Sequence, residues 1–230
     1  MPIDRDSRLL GAVVVKENQN VPIKHACFIS YCHGKYDLVN TFIPQLVKAL
    51  QAYLDPYFED CVFIDVDNLR PGDPYNEKLA EAICHSVCMI VVYFPRYDEH
   101  LYCLREYTAM EILEDKRLKS LGKTVGASRR MIIPIILRGK KEDLPPSIQD
   151  HIQFCDFSKF TTAAGDITKN PEYVGKIDEI AYYVYDLYKE FRDAEQDVCL
   201  DCISFRLPDE KDVKPWRSKV KSAASPFPLR

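Results

Sequence analysis

Residues 88–94 read CMIVVYF, seven residues without a charge or a turn former. A strand with one wet face alternates apolar and polar residues. A strand covered on both faces does not, so this run predicts a buried strand of a parallel sheet. Three more runs have the same character: ACFISY at 26–31, CVFIDV at 61–66 and MIIPIIL at 131–137. HIQFCDF at 151–157 supplies a fifth. Helical patterns separate them. Leu38, Phe42, Leu46, Leu50 and Leu54 recur every four residues beside Val39, Ile43 and Val47, a broad apolar stripe. Pro44 interrupts it, which predicts a late start or a kink.

Asp73-Pro74 offers an N-cap followed by proline at the first helical position, and Leu79, Ala82, Ile83 and Ser86 share the face that follows. A third helix is expected from about Cys103 to Leu118. A fourth, about 173–193, carries Ile177, Ile180, Ala181, Val184, Leu187 and Phe191 at helical spacing. Regular alternation of strand and helix predicts an α/β fold on a parallel sheet. Residues 119–130, KSLGKTVGASRR, read as a basic polar loop, and GAVVV at 11–15 as an added strand. Residues 207–230 hold Pro208, Pro215, Pro226 and Pro228 among charges and read as irregular.

A chain of 230 residues suits one such domain with extra segments. The division expected is an N-terminal extension over 1–23, the domain over 24–195 and a C-terminal tail over 196–230. The formal net charge of −4 argues against a non-specific grip on nucleic acid or anionic lipid. No stretch is apolar enough to span a bilayer, and MPIDRDSRLL does not read as a signal peptide. The nine cysteines are odd in number, and Cys27, Cys61, Cys88 and Cys155 sit inside apolar runs as small hydrophobes. A reducing, cytoplasmic setting is the expectation.

Ligands of open α/β sheets bind beyond the carboxyl ends of the strands. That selects the loops after Tyr31 (Cys32, His33, Gly34, Lys35), after Val66 (Asp67 to Asp73, with Arg70) and from Pro95 to Leu101. The last leads into Tyr102, Cys103 and Glu106. With a helix beginning near Cys103, Glu106 shares a face with Ala109, Met110 and Leu113 and points inward from the first turn. The helix N-terminus favours its charge and burial opposes it. The pattern also fits a first-turn glutamate that only serves free backbone amides. Arg70 fits a solvated turn residue, and His33, with no matching Asp or Cys pair, a structural or surface histidine. Cys199-x-x-Cys202 is a lone pair and does not predict zinc. No GxGxxG or GxxxxGK[ST] loop is present, which argues against a classical dehydrogenase or P-loop NTPase. A phospho-acceptor receiver would place paired acids where Ser30-Tyr31-Cys32-His33 stand.

Together these segments resemble a TIR (Toll/interleukin-1 receptor) domain. Cys27-Phe28-Ile29-Ser30-Tyr31 resembles the family's first box. Phe63-Ile64-Asp65-Val66 with Leu69-Arg70-Pro71-Gly72-Asp73 resembles its second strand and BB loop. Ala82-Ile83-x-x-Ser86 and Met89 to Phe94 resemble the next helix and strand. Tyr102-Cys103-Leu104-Arg105-Glu106 resembles the W-C-x-x-E segment of catalytic members, and Met131 to Ile135 the fourth strand. The resemblance covers roughly 24–193.

It implies a flavodoxin-like fold, a five-stranded parallel sheet flanked by helices. It implies an NAD⁺ glycohydrolase, with Glu106 as the essential carboxylate and NAD⁺ as substrate rather than cofactor. The products would be nicotinamide and linear or cyclic ADP-ribose. Ser30, Tyr31, Lys35, Arg70 and Tyr102 would line the nucleotide cleft, and no metal is called for. Some catalytic members carry arginines after the first-box Ser-Tyr; Cys32 and His33 stand there in this chain, and Lys35 is the nearest cation. Activation by homo-oligomerisation through the BB loop and helices is implied, with a partner protein or nucleotide messenger as activator. Stand-alone action in antiphage or stress defence is the context. The alternative is a non-catalytic TIR adaptor. A weaker third reading is action on, or binding of, another nucleotide.

Overall fold

The computed structural model describes residues 23–33, 37–65, 74–123, 129–144, 146–149, 153–161, 166–194, 202–213 and 216. Five strands form one sheet: β1 (His25–Tyr31), β2 (Asp60–Phe63), β3 (Ser86–Tyr93), β4 (Ile132–Ile136) and β5 (Cys155–Asp156). Their order is β2-β1-β3-β4-β5 and every pairing is parallel. This is the flavodoxin-like order, so the expected fold class is the observed one. All eight residues of β3 are buried, as the uninterrupted run at 88–94 requires. The edge strands are the short ones: four residues in β2 and two in β5. Short edges leave little free backbone for a foreign strand to pair with.

Among the described residues five α-helices flank the sheet: α1 (Asp37–Leu54), α2 (Tyr75–Cys84), α3 (Leu101–Ser120), α4 (Pro146–Gln149) and α5 (Pro171–Arg192). Helix α1 starts at Asp37 and runs through Pro44, so the late start is not found. Pro44 is exposed, and the amide it lacks is lost on the face away from the core. In α2 the N-cap position is Pro74 itself, one place later than expected, and Asp73 lies outside the described residues. Helix α5 begins at Pro171 behind a cap that the reading passed over. The Asn170 side chain accepts from the amides of Glu172 and Tyr173. The strand expected at 61–66 ends at Phe63. GAVVV at 11–15 lies outside the described residues.

Two features tie the back of the molecule together. Arg117 on α3 is fully buried. Its guanidinium donates to the carbonyls of Ser86 and Cys84, 2.7 Å each, closing the end of α2 and the start of β3. The segment after α5 is packed rather than loose where it is described: Cys202, Phe205, Leu207 and Val213 are buried. Cys202 is joined to Cys84 at the end of α2 by a disulfide, so the expectation of nine reduced thiols is corrected for these two. A separation of 118 residues hid that pairing from any spacing rule.

Candidate active site

Strand β1 sits between β2 and β3, so the chain leaves it in one direction and returns on its other side. The crevice beyond the carboxyl ends of β1 and β3 is therefore the natural ligand position. Ser30 and Tyr31 end β1 opposite Val91 and Val92 of β3. A short 3-10 turn at Tyr97–Glu99 follows β3, and α3 begins two residues later. This path brings the second turn of α3 back over the end of β1.

Glu106 lies there. It is 6% exposed and faces the sheet. Helix α3 starts at Leu101, two residues earlier than expected, so Glu106 is not in the first turn and does not serve the free amides. Its partner is Ser30, fully buried, whose Oγ lies within hydrogen-bonding distance, 2.6 Å, of Glu106 Oε2. Ser30 Oγ also lies 2.7 Å from Tyr97 Oη, and Tyr97 Oη donates to the Cys103 carbonyl at 3.2 Å. Burial pushes the Glu106 carboxyl up to about 8, and the negative charge of Asp65 adds to the shift. The Ser30 hydroxyl, His33 and Arg105 pull in the other direction.

At the rim, His33 Nε2 and Asp65 Oδ2 are 2.8 Å apart, and Tyr75 Oη donates to the same carboxylate oxygen at 3.2 Å. The Asp65 hydrogen bond raises the imidazole of His33 above its ordinary range. His33 was read as a histidine without a matching acid. The acid is 32 residues away and arrives just beyond the end of the neighbouring strand β2, where no local spacing reveals it. Tyr31 is half-buried, its ring 4.6 Å from that of His33.

Tyr102 projects from α3 one turn before Glu106 and is 45% exposed. The edge-to-face ring of Tyr75, 5.4 Å away, and the Arg105 guanidinium, 5.2 Å above it, hold it in place. Arg105 in turn donates to the Pro208 carbonyl at 2.8 Å and to Asn76 Oδ1 at 3.3 Å. The segment after α5 thus reaches the rim. Trp216 stacks on Tyr97 at 5.3 Å and meets the edge of Tyr107 at 4.8 Å.

The structure therefore gathers Ser30, Tyr31, Tyr102 and Glu106 from the expected set, but Ser30 turns inward to the carboxyl. Lys35 and Arg70 lie outside the described residues. Sequence reasoning missed Tyr97, Asp65 and Tyr75 as site residues. Tyr97 had a usable signal: an aromatic hydroxyl in the short stretch between a buried strand and the helix that bears Glu106. Among the described residues no three His, Cys, Asp or Glu side chains gather as for a metal. No described helix is long and apolar enough to cross a membrane.

A buried carboxyl with a raised affinity for its proton is costly to ionise unless a positive charge comes near it. Such a group, beside an exposed aromatic, suits a cationic or cation-forming ligand. The family model for the TIR domain matches residues 27–168. The chain is similar to the "Probable 2' cyclic ADP-D-ribose synthase BdTIR" of Brachypodium distachyon, with 30% identity over 90 residues. That stretch is 38% of this chain and 34% of the plant protein, so the likeness spans about a third of the relative's length.

Proposed function

Since this chain belongs to the TIR-domain family, we propose that it cleaves NAD⁺ between ribose and nicotinamide, with Glu106 as the catalytic carboxylate. The observation that carries the reading is the placement of Glu106: one buried acid, aimed at the switch point of a parallel sheet, one helical turn from an exposed aromatic ring.

The chemistry asks for little more. As the glycosidic bond breaks, positive charge grows on the ribose ring, and nicotinamide departs as a neutral molecule. No general acid is required. An ionised carboxylate against the ribose orients its hydroxyls and stabilises the oxocarbenium-like transition state. Glu106 is held protonated in the free protein, with its affinity raised to about 8. The nicotinamide ring of NAD⁺ is itself cationic. Its approach favours the carboxylate, so the substrate draws the proton off the group that will act on it. The ionised acid then faces the ribose in a site from which water has been displaced, where its field is strongest. Water or a second nucleophile of the substrate attacks the ribose and sets linear or cyclic product.

Tyr102 offers a face for stacking, and His33, whose hold on a proton Asp65 strengthens, stands at the rim where a phosphate would pass. Lys35 and Arg70 are proposed as further phosphate contacts. Assembly of several copies through the BB loop and helices completes the site, and activity rises with protein concentration. The setting is defence signalling in the cytoplasm.

The competing reading, a non-catalytic assembly module, has one observation in its favour: Glu106 is already satisfied by Ser30 and needs no ligand. Nicotinamide release by concentrated protein separates the two. Release by the wild type and its loss in Glu106→Ala supports the enzyme. Equal release by both removes Glu106 from the mechanism, and release by neither under assembling conditions supports the module.

A further inference from the structure

Behind Glu106 three contacts run in series. Glu106 Oε2 is 2.6 Å from Ser30 Oγ, Ser30 Oγ is 2.7 Å from Tyr97 Oη, and Tyr97 Oη is 3.2 Å from the Cys103 carbonyl. Ser30 is fully buried, and so is Tyr97. Each contact needs a proton between its two oxygens. Ser30 and Tyr97 bring one each, and the carbonyl brings none. Two oxygens 2.7 Å apart with only lone pairs between them repel. For all three contacts to be hydrogen bonds at once, the third proton must come from the Glu106 carboxyl.

With Glu106 neutral, every contact is a hydrogen bond and all point one way: Glu106 donates to Ser30, Ser30 to Tyr97, and Tyr97 to the Cys103 carbonyl. When the carboxyl proton leaves toward the cleft, the order must reverse. Tyr97 then donates to Ser30, Ser30 donates to the carboxylate, and the Cys103 carbonyl keeps only the amide one helical turn on. Two hydroxyl rotations and one proton lost to solvent balance the change, and no heavy atom moves.

We propose that Ser30 and Tyr97 form a hydroxyl relay whose direction reverses with each ionisation of Glu106, and that Tyr97 is a positioning residue for that carboxyl. Tyr97 is in turn fixed by the indole of Trp216, stacked at an interplanar angle of 25° and ring separation of 5.3 Å. The segment after α5 thereby reaches the carboxyl through one ring and two hydroxyls. Other groups act on the same charge from other directions. Asp65, beyond β2, opposes ionisation, while His33 at the end of β1 and Arg105 on α3 favour it. Tyr75 on α2 and Cys103 on α3 also feel the charge. None of these side chains is part of the hydroxyl series, which Cys103 enters only through its backbone carbonyl. The relay is a property of the free protein, and only its bearing on turnover rests on the NAD⁺ reading above.

The test is a carboxyl-carbon NMR titration of Glu106 in the full chain, in four proteins: wild type, Tyr97→Phe, Ser30→Ala and the double variant. Phenylalanine keeps the ring under Trp216, and indole fluorescence checks that it does. The relay predicts that Tyr97→Phe moves the Glu106 midpoint by at least about half a pH unit, a threefold change in ionisation constant. In the Ser30→Ala background the same substitution moves it by less than about 0.2 unit, because the link is gone. Should Ser30→Ala not fold, Ser30→Cys, close in size and a weak donor, takes its place in the cycle. No shift with Tyr97→Phe, or an equal shift in both backgrounds, overturns the relay. The rate profile is read separately. Coupling by NMR without nicotinamide release keeps the relay and removes the proposed activity. Nicotinamide release without coupling does the reverse.

Discussion

Replacing Glu106 by glutamine should make the protein more stable while abolishing turnover. The ordinary value for the carboxyl is 4.5, and burial raises it to about 8 in the folded chain. The sign follows from where the proton prefers to be. Between those values the folded state holds a proton that the unfolded state has released. The stabilising contribution is therefore complete below 4.5 and is lost as pH rises toward 8. At pH 7 about 2.5 units of that range have been crossed, each worth about 1.4 kcal/mol, so roughly 3 kcal/mol has gone.

Glutamine cannot ionise and keeps the shape. It meets Ser30 with an amide where the acid offers a hydroxyl, which gives back part of the gain. A net stabilisation of about 2 kcal/mol at pH 7 remains, or roughly 4–8 °C in Tm for a chain of this size. Scanning calorimetry of both proteins at pH 5, 6, 7 and 8 is the assay. The wild-type Tm should fall across that range, and the gap to Glu106→Gln should widen with pH. A glutamine variant no more stable at pH 8 than at pH 5, relative to wild type, refutes the claim that Glu106 is held neutral by burial.

Further outcomes follow from the same groups. If NAD⁺ is the substrate, kcat/KM should climb with pH toward a midpoint near 8, because that ratio reports the free protein's carboxyl. The midpoint for kcat should lie lower, since the cationic ring draws the proton off; a profile flat from pH 6 to 9 contradicts this. The imidazole of His33 should titrate above its usual 6.5 by proton NMR, and Asp65→Asn should bring it down. An unchanged midpoint in that variant removes the pairing. Cutting the Cys84–Cys202 link with Cys202→Ser should cost up to about 4–5 kcal/mol on chain entropy for its 118-residue separation, read as a lower denaturation midpoint. Equal midpoints for wild type and variant under non-reducing conditions would show that the link contributes nothing.

Much of the architecture is legible because the core declares itself in runs. A strand buried on both faces cannot hide its composition, so 26–31, 88–94 and 131–137 each mark a strand that the structure contains. Boundaries are less legible. The end of β2 depends on the turn that follows, and Asp65 belongs to the rim of the site rather than to the strand. The start of α3 two residues before Cys103 moves Glu106 from the first turn to the second. The inward face of Glu106 was visible in the spacing of Ala109, Met110 and Leu113, all now fully buried. Its partner was visible only in part: Ser30 was expected to face a nucleotide and faces the acid. Pairings across the sheet were not legible at all. His33 with Asp65, Ser30 with Tyr97 and Cys84 with Cys202 are set by topology, and each joins residues more than thirty positions apart.

The central claim is tested most directly by chromatography of NAD⁺ after incubation with the full chain, concentrated enough to assemble, beside the Glu106→Gln protein at the same concentration. The account predicts free nicotinamide and an ADP-ribose product, linear or cyclic, from the wild type and intact NAD⁺ from the variant. Intact NAD⁺ in both samples, or nicotinamide in both, contradicts it.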